Sequence, residues 1–435
     1  MKPVRVALLG CGTVGGGVVK LLHRNSAIYA RKLGAPVELA AVAELRLDLT
    51  RKLGISDGIV TRDVNALVVR PDIDIVVELF GGYEPARTLI LKALAAGKDV
   101  VTANKAMLAK HGGEIFRAAA SHGLSVGFEA SVGGGIPIIR TLREALAGDR
   151  NRAVYGIVNG TCNYILTTMT EHGVEFDAAL ADAQKNGLAE ANPALDIEGN
   201  DSAHKLCLLV ALGFGAMIRP DQVHTEGITR ITQADIAYAR ELGYAIKLLA
   251  IAKEDEGVIE ARVHPTMIPQ RHILAGVGGA YNAIYIHGEA LGATMYTGLG
   301  AGQMPTATAI VADILDIARH RLAASAARPP AVGLPLKFIR PARVKPMGDV
   351  VCEYYLRFMA RDKPGVLGAI ASVLGKSGLS IASVIQQERA AARTVPIIMR
   401  THEAPERNLQ RALAEIRRRR IVSTPPAFIR IEERL

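Results

Sequence analysis

The chain has 435 residues, 49% of them hydrophobic and 22% charged, with a net charge of +10. At roughly 150 residues per domain this length predicts two to four domains, each able to bury a core, and the composition excludes disorder as the general state. The positive charge does not mark a nucleic-acid surface: basic residues are scattered, aromatics make up only 4%, and there is no Trp to stack on bases.

Residues 1–130 alternate short β-branched runs with helical patterns: VRVALL, VVKLLHRN, VELAAVA, DIVVELF, ARTLILKALAAG and DVVTAN. Strand and helix in alternation predict an α/β, doubly wound parallel sheet of the Rossmann type. Gly10, Gly12 and Gly15 stand in GxGxxG spacing directly after the first strand and open a helix. Gly10 would make the tight turn, Gly12 would admit a pyrophosphate and Gly15 would let helix and strand pack closely. The amides of Thr13 and Val14 would then face phosphate at the helix N-terminus. After the second strand two readings stay open: Glu44 accepting from a ribose hydroxyl favours NAD, whereas Arg46, Arg51 or Lys52 pairing with a 2'-phosphate favours NADP. Asn104 and Lys105 follow the strand DVV, on the side of such sheets where ligands bind, although a surface lysine explains Lys105 equally well.

Residues 131–320 read as an α+β domain, with helices expected at 137–147, 162–172, 176–186, 201–213 and 233–243 and strands near 153–158, 245–252 and 258–265. Within it, NPALDIEGNDSAHKLCLLV (192–210) carries charges directly into an apolar run. Asp201 and Lys205 are four apart and so share one face of a helix that continues, apolar nearly all round, into the interior. A surface ion pair is the bland account; a polar pocket at the head of a buried helix is the functional one. Residues 321–349, rich in Pro, Ala and Arg, read as a linker. Residues 350–435 then run strand, helix, strand, strand, helix, strand, the ferredoxin-like order. The basic run at 417–420 closes the last helix, where cations meet its negative end.

Cys11, Cys162, Cys207 and Cys352 match no zinc or redox spacing, so a reducing cytoplasm is expected. The N-terminal apolar run is too short for a signal peptide, and no membrane span is expected. Asn159 to Thr161 formally match a glycosylation acceptor, which has no consequence in that compartment, and Cys162 is taken as packing.

The segment from Ala183 to Lys205 resembles the signature of homoserine dehydrogenase, with each of the pattern's fixed positions present. The resemblance continues in TANKAML (102–108), FEASVGGGIPII (128–139), IVNGTCNYILTTM (157–169) and GLGAGQMPTATAIVADI (298–314), and so extends over nearly all of residues 1–320. It implies an enzyme that interconverts L-homoserine and L-aspartate 4-semialdehyde with NADP or NAD, in the biosynthesis of threonine, methionine and isoleucine. On this resemblance Lys205 is the proton donor, Asp201 orients it and touches the substrate, and Lys105 holds cofactor and substrate oxygen in register. Glu190 and Asp196 take the substrate ammonium group, which needs carboxylates in a water-poor site. Gly187 and Gly302 would lie against the cofactor, and Phe80 against the nicotinamide. The resemblance also implies a structural monovalent cation, sodium, held by the Glu129 carboxylate and the carbonyls of Val132, Gly134 and Ile136; a turn capped by Glu129 is the rival account. A homo-oligomer, dimer or tetramer, is implied as well.

YYLRFMARDKPGVLGAIASVLGKSGLSIASVIQQE resembles an ACT domain, a small amino-acid-binding module. That makes Asp362, Gly365, Val366, Leu367, Ser380 and Ile381 candidate effector contacts, with threonine as the expected effector. Two other readings account for less. A semialdehyde dehydrogenase acting through Cys162 and His172 leaves Asp201 and Lys205 unexplained. An amino-acid sensor without catalysis leaves the glycine turn without a purpose.

Overall fold

The computed structural model describes residues 2–323, 328–361, 363–386 and 394–435. They form two compact units, each discontinuous in sequence: 1–160, 201–223 and 281–342 in the first, 161–200, 224–280 and 343–435 in the second.

The first unit is built on six parallel strands, β1 (Val4–Leu9), β2 (Val37–Ala43), β3 (Val60–Thr61), β4 (Ile75–Glu78), β5 (Asp99–Thr102) and β6 (Val126–Gly127), in the order β3-β2-β1-β4-β5-β6. This is the doubly wound arrangement that the alternation predicts, and its central strands are buried, as a parallel sheet covered on both faces requires. Helix α1 (Thr13–Arg24) follows β1, α2 (Lys105–Ser121) follows β5, and α3 (Asn200–Phe214) and α4 (Gln303–Leu322) join from later in the chain. Helix α4 completes the core over α1: Ala307, Ile310, Val311 and Ile314 cluster with Val18, Val19 and Leu22.

The helix expected at 137–147 is shorter, an α-helical turn Ile138–Arg140 running into a π-helical turn Thr141–Ala145. A hairpin of strands Tyr281–Gly288 and Gly292–Leu299, not foreseen in the sequence, pairs along its first strand with Asn151–Ile157. Its turn lacks a local two-residue signature because it is held from afar: Asp149 accepts the N–H groups of Ala290 and Leu291.

The second unit contains the helices Phe176–Lys185 and Gln233–Glu241 and an antiparallel pair, Tyr244–Asp255 with Val258–Pro269. Its C-terminal part follows the expected βαββαβ order: Val351–Arg361, Val366–Lys376, Ile381–Gln386, Thr394–Thr401, Glu406–Arg418 and Ala427–Ile431. In the sheet the last strand lies beside the first, which pairs with the third and that with the second. The last strand also continues, in parallel, onto Val258–Pro269 through Thr266 and Arg430, Met267 and Ile431. The expected basic helix end is present, with Arg417 and Arg418 in the last turn of Glu406–Arg418. All four cysteines are buried and none is in a disulfide. No described helix is long and apolar enough to cross a membrane.

Candidate active site

The glycine turn has the geometry its spacing predicts. Gly10 has φ +97, a conformation that L side chains rarely adopt, and a Cβ on Gly15 would lie 2.1 Å from the carbonyl oxygen of Gly10. A Cβ on Gly12 would instead meet nothing within 4 Å, so the space above the turn is open. Gly12 is the N-cap of α1 and Thr13 and Val14 form its first turn, whose N–H groups have no acceptor inside the helix. The residues therefore fit a dinucleotide pyrophosphate: open space, a helix N-terminus and a backbone free of side chains.

The neighbouring strand ends are braced by Asn104, which the sequence had placed there, and by Glu78 and Thr102, which it had not singled out. Glu78, buried at the end of β4, accepts the N–H of Phe80 at 2.8 Å and the hydroxyl of Thr102 at 2.6 Å. The Thr102 hydroxyl oxygen in turn accepts the N–H of Asn104 at 3.0 Å. Asn104 caps α2 through Met107 and donates to the Gly82 carbonyl at 2.6 Å. These bonds place Lys105 as the first residue of α2 and leave Phe80 exposed beside Gly10.

Lys105 and Lys205 meet on one carboxylate. Asp201, 3% exposed, presents Oδ1 to the Lys105 ammonium at 3.0 Å and Oδ2 to the Lys205 ammonium at 2.6 Å. Asn159 donates to Oδ2 at 2.9 Å, and Lys205 also donates to the Val158 carbonyl at 2.5 Å. Burial works to raise the Asp201 carboxyl, but the two ammonium groups and the Asn159 amide outweigh it and hold the acid far below the usual carboxylate range. His204, one residue before Lys205, has its imidazole held below the ordinary histidine range chiefly by burial, with both lysines adding to that against the pull of Asp201. One anion between two cations leaves a net positive charge, and it faces outward through Lys105, whose side chain is 34% exposed against 11% for Lys205. Such a group can supply a proton to a developing alkoxide and stabilise its charge.

Asn159 and the Val158 carbonyl are parts of this cluster that sequence reasoning missed. Their signal was present, since IVNGTCNYILTTM was among the matching blocks, but NGT was read only as a modification motif.

Glu129 is buried and its carboxylate oxygens accept the N–H groups of Ile139 at 2.7 Å and Arg140 at 3.0 Å. This is the capped turn that was the rival to a cation site. The Ile136 carbonyl takes the N–H of Ile138, while Val132 and Gly134 belong to the loop that turns through positive φ at Gly133 and Gly134. Gly302 is the N-cap of α4.

Three expected site residues belong to the second unit. Gly187, at φ +69, follows the C-cap of the helix Phe176–Lys185; Glu190 is exposed; Asp196 is half-buried in the short helix Ala194–Ile197. Cys162 is fully buried and donates to the Asp196 carbonyl, which suits packing rather than nucleophilic attack. In the C-terminal module Gly365 caps the helix Val366–Lys376 and, with Arg361, Lys363, Val366, Leu367 and Gln386, lines a cavity of about 290 Å³. Ser380 and Ile381 do not line it; the Ser380 carbonyl accepts from His402 and Ile381 pairs with Thr401. Asp362 lies outside the described residues.

A doubly wound sheet whose glycine turn accepts a dinucleotide, with an ammonium pair fixed on a buried carboxylate, defines an oxidoreductase that uses a nicotinamide cofactor. Family models agree: "Homoserine dehydrogenase, NAD binding domain" matches residues 10–129, "Homoserine dehydrogenase" 137–315 and "ACT domain" 354–420. The homoserine dehydrogenase of Neisseria gonorrhoeae is 44% identical over 432 residues, 99% of each chain. A homoserine dehydrogenase structure from Thiobacillus denitrificans superposes with a TM-score of 0.94 at 45% identity, over 100% of this chain and 99% of that one. A hyperthermophilic archaeal homoserine dehydrogenase in complex with NADPH covers 73% of this chain and 98% of its own, at 25% identity and a TM-score of 0.63. The chain belongs to the homoserine dehydrogenase family, and it is an oxidoreductase with a C-terminal ACT domain.

Proposed function

We propose that the chain interconverts L-homoserine and L-aspartate 4-semialdehyde, within the biosynthesis of threonine, methionine and isoleucine, with Lys205 as the proton donor. The observation that carries this is the Asp201 carboxylate held between Lys105 and Lys205. The bound nicotinamide supplies or accepts the hydride. Asp201 and the Val158 carbonyl fix the Lys205 ammonium, which gives its proton to the new alkoxide on reduction; on oxidation its neutral amine takes the proton of the homoserine hydroxyl. Lys105 holds the substrate oxygen, and Glu190 and Asp196 neutralise the substrate ammonium group. A second reading, in which Lys105 delivers the proton, is favoured by its greater exposure.

The test follows NAD(P)H absorbance with L-homoserine and then with the semialdehyde, for wild type, Lys105→Ala and Lys205→Ala. The donor is the lysine whose loss abolishes the pH dependence of kcat in both directions; full turnover by Lys205→Ala rejects its assignment.

The functional division we propose is a cofactor domain at 1–130, a substrate domain at 131–320, a linker at 321–349 and a regulatory domain at 350–435. Threonine is the proposed effector, supported by the cavity around Gly365 with Arg361 and Lys363 on its rim, groups suited to an amino-acid carboxylate. Threonine should slow the full-length enzyme, and Val366→Asp should relieve that inhibition. Sodium at Glu129, Val132, Gly134 and Ile136 would have a structural role, supported by an all-oxygen donor set; exchanging Na+ for a large organic cation should then lower thermal stability. A homo-oligomer is supported by Leu291 and Leu299, exposed on the hairpin of the first unit, and is checked by sedimentation. Four buried cysteines outside any disulfide agree with a reducing, cytoplasmic setting.

A further inference from the structure

Directly after β2, Glu44 folds its side chain back over the glycine turn. Its Oε2 accepts the N–H of Cys11 at 2.7 Å, and its Oε1 accepts the N–H groups of Leu45 at 2.9 Å and Arg46 at 3.0 Å. The side chain is 10% exposed. Burial opposes its charge, but the three amides, helped by Arg46, hold the carboxyl below its ordinary range. An ionised carboxylate has about four lone-pair positions, so a further donor can still be accepted. The anion cannot swing aside without releasing Cys11 and loosening the turn itself.

The cations that would welcome a phosphate offset this charge weakly, Arg46 through a long contact and from solvent. Arg46 is 66% exposed and its Nε lies 3.9 Å from Glu44. Arg51 and Lys52 lie exposed on the helix Leu47–Lys52, where Lys52 pairs with Asp48. In a doubly wound sheet the adenosine ribose lies over the end of the second strand, where an acidic residue bonds the ribose hydroxyl and a 2'-phosphate needs a cation instead.

We propose that Glu44 sets cofactor choice: its anchored carboxylate accepts from the adenosine ribose hydroxyls and repels a 2'-phosphate, so the chain uses NAD in preference to NADP. This rests on the dinucleotide reading of the glycine turn. Two measurements test it, one of them independent of turnover. The first compares kcat/KM for NADH and NADPH with the semialdehyde. The second titrates the full chain calorimetrically with ADP-ribose and with its 2'-phosphorylated form. In both, wild type should favour the form without the phosphate by about tenfold or more, and Glu44→Gln should narrow that ratio by a similar factor. Equal or tighter binding of the 2'-phosphorylated fragment by wild type overturns the proposal, as does an unchanged ratio in a folded Glu44→Gln. If that variant does not fold, the wild-type fragment comparison decides alone. Failure of wild type to bind either fragment overturns the dinucleotide reading as well, which separates the two failures.

Discussion

In the first unit one carboxylate, Asp201, holds two ammonium groups; in the second, two guanidinium groups each lie between two carboxylates. Arg262, with no exposed surface, donates to Glu260 and Glu432 and to the ring nitrogen of His264. Arg430, 2% exposed, donates to Glu226 and Glu406. Burial first, and then the two guanidinium groups, hold His264 uncharged. This second cluster spends its donors on its own acceptors and joins the last strand to Val258–Pro269. The cluster at Asp201 carries a net positive charge and keeps a partly exposed lysine. Buried charge that is matched and enclosed holds a fold together, and buried charge that leaves a net charge at a partly exposed side chain is prepared for a ligand.

The sharpest way to break this comparison is at Asp201. Asp201→Ala should lower kcat of the folded fraction by roughly 100-fold to 10,000-fold, a typical span for losing positioned proton transfer. A variant that retained wild-type turnover would put the second cluster's structural role on the first as well. The converse is Arg262→Met, which removes the fully buried cation and leaves Glu260 and Glu432 to the partly exposed Lys253 and Lys345. It should cost about 3 to 5 kcal/mol of stability in denaturant titration and leave kcat of the folded fraction unchanged.

Lys247 sharpens the contrast from a third side, being a buried cation that donates to the Val277 carbonyl at 2.7 Å. Burial, opposed by Glu171, lowers its ammonium from 10.5 to about 8. The folded chain therefore binds fewer protons than the unfolded chain between those values. Stability rises with pH across that window, and the full penalty applies below pH 8. Lys247→Met should remove that slope and gain about 1 to 3 kcal/mol at pH 7, since Asn163 still donates to the Val277 carbonyl. A pH series of melting curves checks it. The smallest effect concerns open and closed space rather than charge. Gly12→Ala should leave the melting temperature alone and raise the KM for cofactor by about tenfold, because the added methyl meets only the space above the turn.

Much of this site was legible because its causes are local. The glycine spacing is legible since a tight turn between strand and helix has few solutions, and Asp201 with Lys205 because residues four apart on a helix share a face. The ferredoxin-like module was legible from the order of its elements. The hairpin at 281–299 was not, because its turn is closed by the distant Asp149. Asn159 was passed over because a short motif offered a modification reading, while its bond to Asp201 depends on chain brought together only by folding.

The sequence by itself determined the element order of residues 1–130 and 350–435, the doubly wound sheet and the residue types available for hydride chemistry, because strand and helix periodicities and glycine's backbone freedom are properties of neighbours in the chain. Only the tertiary structure decided that Lys105 and Lys205 share one carboxylate, that Glu129 caps a turn, and that Glu44 is tied to the glycine loop. Each of those depends on where a side chain's polar atoms find partners, and in a closed fold those partners come from distant parts of the chain.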